Sequence, residues 1–160
     1  MATWSRIPHA FVAFETPTDA IMNSLPKGVI AHAENGSDVS GITTTEVEVL
    51  NTGALTVPAS RMLRATINLY IETATTDGLL VAVFLRESAG SLHVFHEHIA
   101  VSTGTGHRSP TYTWTFPAGS TTPTYSVGVT RENSPTSPAT GTIIIKGGSQ
   151  LVIEDVGPSA

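Results

Sequence analysis

Residues 63–73 read LRATINLYIET and alternate without a break. Leu63, Ala65, Ile67, Leu69 and Ile71 fall on one side, and Arg64, Thr66, Asn68, Tyr70 and Glu72 on the other. Successive side chains of an extended chain point to opposite faces, so this period of two predicts a strand with one face in a core. A chain with such a strand must find it partners, and the rest of the sequence supplies them.

Strands are expected at 29–33, 42–50, 63–73, 79–87, 92–102, 110–116, 124–131, 142–146 and 150–154. Asn51-Thr52-Gly53, Thr76-Asp77-Gly78, Gly104-Thr105-Gly106, Pro117-Ala118-Gly119 and the NSPTSPATG loop at 133–141 separate many of them. LLVAVFLRE, residues 79–87, is apolar on both faces, as in a strand covered twice. About nine strands at this spacing, with no helical pattern between them, predict an all-β antiparallel jelly-roll β-sandwich. Residues 28–160 form this sandwich, preceded by a 1–27 N-terminal arm. The arm holds one short helix, TPTDAIMNSL at 16–25, with Thr16 as cap, Pro17 at the first position and Pro26-Lys27-Gly28 as stop.

Composition excludes several classes of function. Eight Lys and Arg scattered over 160 residues, with a net charge of -5, cannot neutralise a phosphate backbone, so nucleic acid is not an expected partner. There is no cysteine, hence neither a disulfide framework nor a thiolate metal site. No apolar run approaches the ~18 residues that a membrane span needs, and the first residues lack the layout of a signal peptide. Asn35-Gly36-Ser37 matches a glycosylation acceptor, but an Asn-Gly turn is the reading without a secretion signal.

GSLHVFHEHI, residues 90–99, raises the question of a metal. His96 and His98 project from one face of a strand, with His93 and Glu97 beside them. Gly90, His96 and His98 resemble the first half of a cupin motif, and Pro117-Ala118-Gly119 imitates part of the second. The other ligands of that motif are missing: Ser102 and Thr103 stand where its glutamate would, and Thr122 where its third histidine would. Two neutral donors make a weak site for a divalent ion. His107 would join them only if its loop folded back. No metal or cofactor is therefore expected, with His96 and His98 as weak candidates that three chains could combine at a trimer axis. A nucleophile elbow, a zinc-protease helix motif and a phosphate-binding loop are absent from the sequence; GTGHRS at 104–109 reads as a hairpin loop. The chain is expected not to be an enzyme.

The surface is rich in Thr, Ser, Ala and Gly, and can lie against a copy of itself without like-charge repulsion. Tyr112, Trp114 and Phe116 alternate on one face of a strand, which places them in the core or, for Tyr112 and Trp114, at a subunit interface where aromatic residues are enriched. Arg61 and Arg64 are expected to pair with acids at a sheet edge or on a neighbouring chain. Trp4, Phe11 and Phe14 in the arm are apolar without a regular period, and burying each is worth roughly 1.5–3 kcal/mol. The arm is expected to dock on its own sandwich, on a sister subunit or on a larger assembly, and is read as an attachment element.

Three segments together carry a resemblance: MNSLPKGVIAHA at 22–33, ITTTEVEVL followed by LTVPASRMLRATINLYIET, and the ending GTIIIKGGSQLVIEDVGPSA. They are similar to small structural proteins of tailed phages that infect actinobacteria. In that group an L-P-K/R-G entry precedes a jelly-roll core, and the chain closes on L-V-E-D-I/V-G-P. Here the ending runs from Leu151 to Pro158 with Ile153 as an extra residue before Glu154. The resemblance implies a virion protein of the minor-tail or head-decoration kind, with a core similar to the trimeric jelly rolls of tumour-necrosis-factor-like domains. The expected partners are copies of itself as a homotrimer, phage capsid or tail proteins, and a host-surface glycan. No catalytic residue comes with the group. Two other readings stand beside it: a cupin-like metalloenzyme using His96 and His98, and a carbohydrate-binding sandwich with Tyr70 or Tyr125 as stacking platform.

Overall fold

The computed structural model describes residues 25–75, 79–88, 93–101, 104–132 and 141–159. Every regular element in it is a strand: β1 Gly28–Glu34, β2 Val47–Ala54, β3 Arg61–Asn68, β4 Ile71–Thr75, β5 Leu79–Glu87, β6 His93–Val101, β7 Gly104–Arg108, β8 Thr111–Pro117, β9 Thr124–Glu132, β10 Gly141–Ile145 and β11 Gln150–Pro158. The helix expected at 16–25, and with it nearly all of the arm, lies outside the described residues.

Three antiparallel sheets form, in the orders β1-β11-β3-β8, β10-β4-β7 and β2-β9-β5-β6. The first two belong to one layer of a jelly roll. β10 runs into β11, β3 into β4, and β7 into β8, so the second sheet continues the first beyond a break that the three strands share. Below the break Asn68 faces Thr111 and Gln150; above it Ile71 faces Arg108 and Ile145. Two local causes sit at this level. Pro110 has no N–H to give to a ladder, though its carbonyl accepts from Leu69 N at 3.1 Å. Lys146–Ser149 puts four residues opposite the two, Leu69 and Tyr70, and turns through Gly148 at φ +88°. The strand expected at 63–73 is therefore two strands in two sheets, although its alternation of buried and exposed residues runs through unbroken from Leu63 to Ile71.

The core lies between the layers. Leu63, Ala65, Ile67, Leu151 and Ile153 from the first sheet and Ile71, Ile143 and Ile145 from the second meet Val49, Val81, Val83, Leu85, Val127 and Val129 from the third. β5 has neighbours on both sides and is buried on both faces from Val81 to Leu85, as its composition predicts. Its outer face carries Phe84, beneath the Arg86 guanidinium 6.0 Å from the ring centre. GTGHRS is corrected: Gly104–Arg108 is a strand paired with β4, and not a loop.

Candidate subunit interface

β1 packs against β2 and closes one flank of the sandwich, while β8 and β6 border the other. Edge strands invite pairing with other chains, and proteins blunt them with bulges, charges or proline. β1 carries a bulge between Val29 and Ala31, and β2 is irregular at two places. β6 shifts register against β5 at Leu85/Arg86 and carries Glu97. β8 has no bulge and no charge, and its one proline, Pro117, is its last residue. It pairs with β3 in one unbroken register from Met62↔Pro117 to Asn68↔Thr111, and TYTWTFP contains no charge.

The three aromatics of β8 face the interior side of their layer, opposite Leu63, Ala65 and Ile67, and diverge along the strand. Phe116 is buried and meets the Tyr125 ring edge-on at 5.4 Å between centroids. Tyr112 is half-buried against the core; burial, and next the charge of Glu97, raise its phenol above the ordinary range. Trp114 is 47 % exposed, one of the largest apolar surfaces among the described residues. Thus the strand has a core end and an exposed centre. Trp4, Phe11 and Phe14 lie outside the described residues.

The expected metal face is different. His98 Nε2 lies 2.8 Å from Glu132 Oε2, across β5 from β6 to the end of β9. The side chains of His93 and His96 lie outside those described. Among the described residues no group of three or more His, Asp or Glu is placed to hold an ion. His107 faces Glu72 in the second sheet, in the other layer from His98.

Two further expectations are corrected. Arg61 does pair with an acid, but inside the molecule: Arg61 and Asp155 are each 2 % exposed. Nε donates to both carboxylate oxygens at 2.9 Å, and Nη2 to Oδ1 at 2.5 Å. Nη2 also donates to the Leu25 carbonyl at 2.7 Å, which fixes the point where the arm joins the sandwich. Asp155 Oδ1 in turn accepts from Gly157 N at 3.0 Å, within the bulge that ends the β3–β11 ladder. Only a guanidinium offers this many donors in one plane. Tyr125 is no platform, because it is fully buried; burial first, then the Glu87 charge, raises its phenol. Tyr70, by contrast, is 45 % exposed.

Sequence reasoning missed the pair of Glu46 and Arg86. The Glu46 side chain crosses β9 at Gly128 and reaches Arg86 on β5, whose Nε donates to Oε1 at 2.6 Å. A Cβ at position 128 would overlap the carboxylate. A lone glycine within a strand pattern, Gly128 in TYSVGVTRE, was the available signal.

No protein-family model matches the sequence, and no curated protein is similar to it. Among solved structures, the chain is similar to the Eiger tumour necrosis factor of S. frugiperda, at TM-score 0.51 and 10 % identity over 84 % of this chain and 96 % of that one. It also aligns with infectious bursal disease virus, Gt strain, at TM-score 0.41 and 13 % identity, over 84 % of this chain and 38 % of that one. A carbohydrate-binding module of Cellvibrio mixtus lichenase 5A aligns at TM-score 0.35 and 16 % identity, over 80 % of this chain and 98 % of that one. At such identities the likeness to Eiger speaks for the fold alone: the chain is an antiparallel jelly-roll sandwich.

Proposed function

We propose that this chain is a non-enzymatic structural module of a tailed-phage virion. It is a homotrimer on the outside of the particle, in a minor-tail or capsid-decoration position, that stabilises the particle or presents a surface. The observation that carries self-association is β8, an edge strand of regular register and no charge with Trp114 exposed at its centre. The phage assignment rests on the sequence resemblance of the entry, the β3 region and the ending. The arm serves as the attachment to capsid or tail proteins, leaving the sandwich at Leu25 under the grip of Arg61.

Sedimentation tests the first part. The wild-type chain should sediment as a trimer, and Trp114→Glu should sediment as a monomer with an unchanged far-ultraviolet spectrum. A wild-type chain that stays monomeric, or a Trp114→Glu variant that stays trimeric, overturns it. For attachment, removal of residues 1–27 should abolish incorporation into particles while the sandwich stays folded.

A further inference from the structure

Tyr70 stands on the outer face of the first layer, at the break between its two sheets and on the opposite side of that layer from Trp114. Its backbone is fixed on both sides. Tyr70 N donates to Ser149 Oγ at 2.9 Å, and its carbonyl accepts from Lys146 N at 2.8 Å. The Lys146–Ser149 turn lies against the ring edge, and a Cβ at Gly148 would begin 3.7 Å from Tyr70 Cε2. Gly148 has φ +88°, which disfavours a larger residue there, whereas a Cβ would make only ordinary contact with the ring.

Polar residues flank Tyr70 along the outer face. Lys146 Nζ is held by Asp38 and lies 3.3 Å from Glu72 Oε2, while Gly147 N donates to Asp38 Oδ1 at 2.9 Å. Lys146 is bonded to Tyr70 through the backbone, and Glu72 is the next residue along on the same face. On the other side, Thr111 Oγ1 donates to Asn68 Oδ1 at 2.8 Å. All five side chains retain access to solvent.

We infer that this patch binds a neutral saccharide, with Tyr70 as stacking platform and Asp38, Glu72 and Lys146 bonding hydroxyl groups. A pyranose offers an apolar C–H face and a rim of hydroxyls, each both donor and acceptor. The patch offers the complement: one exposed aromatic ring on a held backbone, beside carboxylates, an ammonium and an amide. Its charge selects against other ligands. Two carboxylates against one ammonium disfavour phosphate or sulfate, and the ammonium already occupies the place a free cation would take. This inference is independent of how the chain self-associates.

The test is titration of the full chain with cellotriose, maltotriose and mannotriose, followed by amide chemical shifts. At least one should give a saturable shift centred on residues 68–72 and 146–149. Tyr70→Ala should bind that sugar roughly tenfold more weakly, whereas Tyr70→Phe keeps the stacking surface and the affinity. Asp38→Asn should weaken it severalfold. No saturable shift with any of the three sugars overturns the inference, as does undiminished binding by Tyr70→Ala. Tighter binding of a sulfated analogue than of its neutral parent would overturn the charge argument and the ligand class with it.

Discussion

Arg61 and Arg64 stand three residues apart on β3, and each reaches an acid on β11, yet they belong to different regions of the molecule. Three steps along a strand change face, so Arg61 points into the core and Arg64 into water. Arg64 Nε meets Glu154 Oε2 at 2.8 Å with the guanidinium largely solvated. Arg61 spends its donors on a buried carboxylate and a backbone carbonyl. Two charges taken from water need nearly ideal partners, and removing one partner leaves the other stranded. The same strand pair thus holds an ion pair on which the fold depends and another that decorates its surface.

Breaking the inner pair gives the largest effect. Asp155→Ala should destabilise the chain by about 3–5 kcal/mol and lower its melting temperature by roughly 10 °C in calorimetry. An Arg61→Met/Asp155→Leu double variant sharpens the point, since an apolar replacement of similar size should recover most of that loss. Next comes a pair of intermediate burial. Gly128→Ala should push Glu46 off Arg86 and cost about 1 kcal/mol in denaturant unfolding. In a Glu46→Ala background the same change should cost far less, because the overlap is gone.

On the outer face, Glu154→Gln should move the melting temperature by less than the scatter of the measurement at neutral pH. Its contribution has a definite sign with pH. The hydrogen bond from Arg64 holds the Glu154 carboxyl below its ordinary value of 4.5, and that from Lys146 holds Asp38 below 3.8. A group whose folded value is depressed stabilises the fold above its unfolded value, and the gain is lost as pH falls through the folded one. The small advantage of wild type over an Asp38→Asn/Glu154→Gln variant should therefore be complete above about pH 4.5 and shrink in more acid solution.

Much of the sandwich was legible because alternation and turn residues are local signals. Strands β5, β8, β9 and β10 lie within a residue or two of their expected ranges. What failed depends on partners distant in sequence. The alternation of 63–73 is the same whether one sheet or two receive it, so the break at Leu69–Tyr70 was invisible until Pro110 and Lys146–Ser149 came alongside. Gly104–Arg108 looks like a loop in composition, and becomes a strand because β4 has an edge to fill. The strand expected at 42–50 begins at Val47, where pairing with Val129 starts.

The candidate sites divided for the same reason. Period two placed Tyr112, Trp114 and Phe116 on one face correctly, but exposure along that face follows from β8 lying at a border. Tyr70 and Tyr125 are indistinguishable by residue type, and only their places in the fold, an outer-face break and an inward position on β9, separate an open ring from a buried one. Arg61 carried no sign of its burial, since its acid lies 94 positions further along the chain.

The shared break gives the first layer two plates with different fastenings. The lower plate is locked by Arg61 and Asp155, and its β11 and β3 pair over eight positions; the upper one has ladders of only five. Thermal opening should begin in the upper plate and stop at the crease, so that hydrogen exchange is fast in β10, β4 and β7 while β3 and β11 stay protected. A sandwich made this way can open at one end and stay closed at the other.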